Sequence, residues 1–113
     1  MSDKLTEKHC VPCEDENFPA FTKEQAEDMM AHIPDWELSA DSRRITRRFP
    51  FKDFKSALAF ANKIGELAEA EWHHPDLIVA WGRVEVLLTT HAIKGLAEND
   101  FIMAAKIDLL EKT

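Results

Sequence analysis

Five residues of this chain are of a type and spacing that can move protons: Glu69, His73, His74, His91 and Asp100. His73 and His74 are adjacent, Pro75 follows at once, and Glu69 stands one helical turn before them. Imidazole can donate a proton to a leaving oxygen or accept one from nitrogen near pH 7, and a carboxylate beside it fixes its tautomer. Three histidines and a carboxylate are also a common ligand set for zinc or iron. Against an ion stands the adjacency of His73 and His74, because neighbours in extended chain point opposite ways and need a special turn to reach one centre. A third reading stays open on spacing alone: HHP is an ordinary polar loop and His91 a strand-end residue. Covalent catalysis lacks a nucleophile paired with a base, since Ser42 and Ser56 lie in other contexts and Cys10 and Cys13 are remote. Only three glycines are present and none builds a phosphate-binding loop.

Which elements bring these residues together? Thr22 and Gln25 form a T-x-x-Q capping box, followed by Ala26, Met29, Met30 and Ile33 at helical spacing and ended by Pro34. Trp36-Glu37-Leu38 alternates, Ala40-Asp41-Ser42 turns, and Ile45, Arg47 and Phe49 share one face of a second strand; the two read as a hairpin. From Phe51 to about Glu71 the period becomes 3.6, with Phe54, Ala57, Leu58, Ala61, Ile64, Gly65 and Ala68 on one stripe. Leu77–Trp81 and Val84–Thr90 are strand-like, with Gly82-Arg83 as a tight turn. Ala97–Glu111 is helical again, with Phe101, Ile102, Ala105 and Leu109 inward. The succession α-β-β-α-β-β-α predicts an α+β fold: a four-stranded antiparallel sheet with three helices packed on one face.

This topology places 73–74 at the start of the third strand and His91 at the end of the fourth, so a hairpin returns one beside the other. Glu69 and Asp100 face the same neighbourhood, which predicts three imidazoles and one or two carboxylates around one cleft. A last strand carrying Val84, Val86, Leu87 and Leu88 invites pairing with another subunit, and a homodimer or homotetramer through sheet edges is expected.

The 113 residues suit one domain over 21–113 with a partly ordered extension over 1–20. A hydrophobic fraction of 45% and a charged fraction of 31% are those of a globular protein. The net charge of −7 argues against nucleic acid, so RRITRR (43–48) reads as a solvated edge or a local anion contact. No run reaches the length of a membrane span and the charged N-terminus is no secretory signal, so a cytoplasmic location is expected. Cys10 and Cys13, after His9, make one C-x-x-C. No second such pair completes a zinc site, and no strand-to-helix context supports a redox motif, which leaves two thiols in a tail as the plainer reading.

Glu69-x-x-x-His73-His74-Pro75, with Trp81, His91 and Asp100 at these intervals, resembles the active-site pattern of the pterin-4a-carbinolamine dehydratase family, bacterial type. PDWEL (34–38), FPFKDFKSALAFANKI (49–64), LLTTH (87–91) and GLAENDF (95–101) resemble it at matching offsets, from about residue 22 to the end. The resemblance implies dehydration of 4a-hydroxytetrahydropterin to quinonoid dihydropterin, recycling the cofactor of aromatic amino-acid hydroxylases without a metal or a cofactor of its own. It implies His73 and His91 as general acids and His74 as a pterin contact or proton acceptor. Glu69 and Asp100 would orient imidazoles, and Thr89 and Thr90 would bind the pterin edge. Trp36 would line the cleft or serve equally as a core tryptophan. Trp72 stands where the family often has aspartate, so a polar substrate contact is missing there or comes from backbone. Ala97 stands where a capping serine or threonine is common, a loss of about 1 kcal/mol. The family's animal members also act as dimerisation partners of a homeodomain transcription factor, so a non-catalytic binding or regulatory protein of the same fold is the alternative.

Overall fold

The computed structural model of the protein describes residues 2–7 and 20–111. The C-x-x-C of Cys10 and Cys13, with His9, lies outside the described residues. The elements are α1 (Ser2–Glu7), α2 (Lys23–Met30), β1 (Glu37–Leu38), β2 (Ile45–Pro50), α3 (Phe54–Glu71), β3 (Asp76–Ala80), β4 (Arg83–Leu88), a 3-10 turn (His91–Ile93) and α4 (Glu98–Glu111). From α2 onward this is the expected α-β-β-α-β-β-α order of an α+β fold. The sequence carries no period for α1, which packs against α4 and buries Leu5 in the core.

All four strands form one antiparallel sheet in the order β1-β2-β4-β3. β4 is thus an inner strand, which corrects the expectation that this last strand is open to pair with another subunit. The reason is length. β1 pairs with only two residues of β2, whereas β4 pairs with six, from Ile45↔Leu88 to Pro50↔Arg83. Val84, Val86 and Leu88 point to the helical side and are buried, in register with Phe49, Arg47 and Ile45 of β2. The opposite face carries Thr46, Arg48, Glu85, Leu87, Asp76 and Ile78, as the two-residue period of a strand requires. The open edges are β1 and β3.

The helices begin where the sequence can satisfy their first N–H groups. Thr22 accepts from the Gln25 N–H at 3.1 Å while the Gln25 side chain accepts from the Thr22 N–H at 2.8 Å. Asp53 accepts from the Ser56 N–H at 2.8 Å and starts α3. The buried stripe of α3 is Ala57, Phe60, Ala61, Ile64 and Ala68. Phe54 and Leu58, expected inside, are exposed. The stripe turns toward Phe60 because that ring meets Phe49 at 4.8 Å and Phe51 at 5.2 Å, a larger apolar contact than Leu58 could make. The β3–β4 turn is Trp81-Gly82 rather than Gly82-Arg83, since Ala80 pairs with Arg83. Gly82 takes the second turn position at φ 83°, where a side chain would be strained. On α4, Phe101, Ile102 and Ala105 are buried as expected, but Leu109 is exposed. α1 and α3 both pack against α4, and Leu109 lies outside the face they bury.

Candidate active site

α3 ends in a way that separates the two adjacent histidines. Trp72, its C-cap, lies in the left-handed region (φ 52°, ψ 45°), a conformation that is costly for a residue with a side chain. The Trp72 and His73 N–H groups both turn back to the Ala68 carbonyl, and the chain then leaves the helix for Pro75 and β3. His73 points inward with 10% of its side chain exposed, and His74 points outward with 48% exposed. The end of α3 is also held to α4 by an ion pair from Lys106 to Glu71 at 3.1 Å, with both side chains largely buried. A carboxylate at a helix C-terminus opposes the helix dipole, and Lys106 offsets that.

Asp100 is the centre of the arrangement. It is fully buried, and both its oxygens are engaged. One lies 2.7 Å from His73 Nε2; the other accepts from the Thr90 hydroxyl at 2.8 Å and from the Ala97 backbone N–H at 2.9 Å. An ionised carboxylate only accepts, so His73 Nε2 must carry the hydrogen, and Nδ1 is left as the nitrogen that can exchange a proton elsewhere. Asp100 sits in the first turn of α4, where the N–H groups and the dipole favour an anion. Its bond to the Ala97 N–H is the reciprocal half of a capping box. Alanine at the cap therefore leaves the helix start partly capped through Asp100, with the Asp100 N–H bonded to the Ala97 carbonyl at 3.1 Å.

His74 pairs through Nε2 with Glu69, on the last turn of α3, and its ring stands edge-on to Trp72 at 5.0 Å. Glu69 thus orients His74 and Asp100 orients His73, one carboxylate to each imidazole. Trp72 is exposed.

β4 ends at Leu88, earlier than expected, so His91 opens a 3-10 turn instead of closing a strand. Thr90 and Gly95 bridge across that turn. Thr89 donates its hydroxyl to the Arg43 carbonyl at 2.6 Å, tying the turn to the β1–β2 loop. His91 is exposed and lines a cavity of about 340 Å³ with Arg43, Arg44, Asp76, Thr89 and Lys94. The lining of this cavity does not include His73 or His74. His73 is linked through Asp100 to Thr90, the residue before His91, while His74 is held separately by Glu69. Arg43, Arg44, Asp76 and Lys94 were not singled out as site residues from sequence; RRITRR was the signal for the arginines.

Trp36 takes the core alternative. It is buried, edge-on to Phe49, and its indole N–H donates to Asp108 at 2.8 Å on the side of Arg47 and α4, with no bond to the histidines. Burial pushes the Asp108 carboxyl above the usual range, against the pull of the Trp36 and Arg47 hydrogen bonds. Among the described residues no three His, Cys, Asp or Glu side chains gather in a geometry that could hold a metal ion. No helix among them is long and apolar enough to cross a membrane.

A sheet backed by helices, with two histidines held by carboxylates at its end, defines a small α+β protein. Residues 19–110 match the family model of pterin 4 alpha carbinolamine dehydratase. The chain belongs to that family, whose members are lyases. Relatives named for it include a protein of Halorhodospira halophila, 51% identical over 94% of this chain and 96% of its own length. Another, from Aromatoleum aromaticum, is 50% identical over the whole of both chains. The crystal structure of a transcriptional coactivator/pterin dehydratase from Brucella melitensis is similar with a TM-score of 0.75 and 33% identity, covering 80% of this chain and 97% of its own.

Proposed function

We propose that this chain dehydrates 4a-hydroxytetrahydropterin to quinonoid dihydropterin by histidine acid–base catalysis. The observation that carries the reading is the bond from His73 to the buried Asp100, which sets the tautomer of a nearly enclosed imidazole. The C4a hydroxyl takes a proton and leaves as water, a ring nitrogen gives up its proton to a base, and a carbon–nitrogen double bond forms. No electron is gained or lost, so the step asks only for an acid and a base. His73 and His91 serve as acids. His74, held by Glu69, contacts the pterin or takes the nitrogen proton, and Thr89, Thr90 and the backbone at Trp72 border the ring. On this reading no metal is required, and the protein recycles the cofactor of an aromatic amino-acid hydroxylase in the cytoplasm.

The test is a dehydration assay with freshly made substrate. His73→Ala and His91→Ala should each lower the rate by about 10²- to 10⁴-fold and leave the fold intact, and a chelated enzyme should keep its rate. Unchanged rates in both variants refute the roles.

A binding role is the second reading, favoured by the Brucella protein, which is named a coactivator as well as a dehydratase. The uncovered face of the sheet supports it with a shallow cavity of about 630 Å³ bordered by Glu37, Arg48, Asp76, Ile78 and Glu85. Self-association as a dimer or tetramer would use the edges β1 and β3, and a monomeric mass by light scattering at micromolar concentration counts against it.

A further inference from the structure

The acid–base roles proposed above do not use the cations around His91. Arg43, Arg44 and Lys94 line that cavity together, with Asp76 as the single carboxylate in its wall. This is unexpected in a chain of net charge −7, where acidic side chains outnumber basic ones 21 to 14. Such local reversal of sign attracts an anion. Arg44 meets Asp41 only at 3.9 Å, with both side chains about half exposed, an arrangement worth little and easily given up for a better partner.

The two arginines are also held in place. The Ser39 hydroxyl donates to Asp41 at 2.6 Å and accepts the N–H groups of Arg43 at 3.2 Å and Arg44 at 3.1 Å. The Arg43 N–H also reaches Asp41 at 3.1 Å, and the Ser39 N–H donates to the Arg44 carbonyl at 2.9 Å. Thr89 then pins the Arg43 carbonyl against the turn that carries His91. Lys94 ends that turn in the left-handed region at φ 54°, a position glycine or asparagine would occupy more cheaply. Three cations on a braced loop and turn, all beside one catalytic imidazole, exceed what a neutral pterin ring asks for.

We propose that this cavity selects pterins whose ring substituent is negatively charged, a phosphate monoester or a carboxylate, with Arg43, Arg44 and Lys94 gripping the charge while His91 faces the ring. The proposal rests on the pterin reading and narrows its substrate class. Guanidinium groups match both anions in planar, two-point fashion, and the dianionic phosphate gains more.

The experiment is fluorescence titration of the full chain with 6-hydroxymethylpterin, its phosphate monoester, and 6-carboxypterin. At low ionic strength the phosphate should bind on the order of tenfold tighter than the neutral pterin, the sum of three partly exposed pairs. The carboxylate should fall between them. The preference should shrink steeply toward about 0.5 M salt. In Arg43→Gln/Arg44→Gln/Lys94→Gln the ratio of anionic to neutral affinity should fall toward one. Equal binding of all three pterins by the unaltered protein overturns the inference and leaves the function standing, as does a preference that salt does not touch or that survives in the triple variant. Failure of every pterin to bind overturns the function and the inference with it. The salt series uses the unaltered protein, so the result does not depend on how the variant folds.

Discussion

Replacing Asp100 by asparagine exchanges one acceptor oxygen for an amide donor of nearly the same shape. Two of the three bonds to this residue, from Thr90 and from the Ala97 N–H, fall on one oxygen, and only His73 is on the other. The amide oxygen will take the side with two donors, and the NH₂ will face His73 Nε2. That nitrogen must then accept, and the protonated ring that a general acid requires faces an N–H donor instead of the carboxylate that stabilised it. The expected loss in kcat is about 10²- to 10⁴-fold, the usual worth of a positioned acid or base. Stability should change far less. Three charge-assisted bonds become neutral ones, a loss of about 1 kcal/mol each, with about 0.5 kcal/mol more from the start of α4. Against this, a fully buried charge is removed, and its desolvation penalty of several kcal/mol disappears. The net change should stay within about 2 kcal/mol, in either direction. Steady-state dehydration and a thermal melt on the same sample separate the two effects. A folded Asp100→Asn enzyme within about threefold of the unaltered kcat would mean that the tautomer of His73 does not govern the reaction.

Two further expectations concern the scaffold. Arg47 binds Asp108 and Glu111 at 2.6 Å each and lies over the Phe49 ring, so Arg47→Met should cost about 2 kcal/mol, less than a wholly buried pair because both ends keep some contact with water. Burial already holds the Asp108 carboxyl above its unfolded value, so its contribution to stability falls as pH rises through that interval. Losing Arg47 extends the interval upward, and the deficit measured by melting should grow from acid to neutral pH. For Asp53 the sign is opposite. The Ser56 N–H holds its carboxyl below the ordinary 3.8, so its stabilisation is present above that value and is lost as pH falls through the depressed one. Asp53→Ala should therefore lower the melting temperature at pH 7, and the gap should close in strong acid.

The parts of the fold legible in the sequence are those with a local physical signature. The T-x-x-Q box at Thr22 and the helical period after Phe51 each correspond to an element, because each is determined by contacts within a few residues. Strand order is not local. Nothing in the β4 segment says that β2 will close on it, and the apolar residues that suggested an edge are the ones a central strand needs. Leu58 and Leu109 fail for a related reason: a helical period marks a stripe, and the neighbours that cover it decide how wide it is and where it ends. α1 has only six residues, too few for a period to show. In the site, the sequence places Glu69 and Asp100 near the histidine pair, but does not say which carboxylate meets which ring: Glu69, one helical turn before His73, bonds His74, and Asp100 bonds His73. Trp36 was ambiguous because an indole serves equally in a core or a cleft, and only the position of Asp108 decides it.

The site and the packing of the two long helices depend on each other through α4. In the proposed reaction His73 acts only if its ring is fixed, and what fixes it is a carboxylate in the first turn of a different helix. That carboxylate in turn is held by Thr90, from the segment after β4, and by the N–H of Ala97. A serine or threonine at Ala97 would add a cap bond to the N–H of residue 100, which already has the Ala97 carbonyl at 3.1 Å, so the gain in stability would be small. The alanine leaves the Asp100 carboxylate as the side chain that joins the helix start to the sheet end and to His73. Lys106 and Glu71 repeat the α3–α4 connection two turns further along, so a rigid-body shift of α4 has to break both contacts together. Substitutions that loosen α4 should therefore reduce activity before they unfold the protein, because the bond between His73 and Asp100 is sensitive to displacements of well under one helical turn.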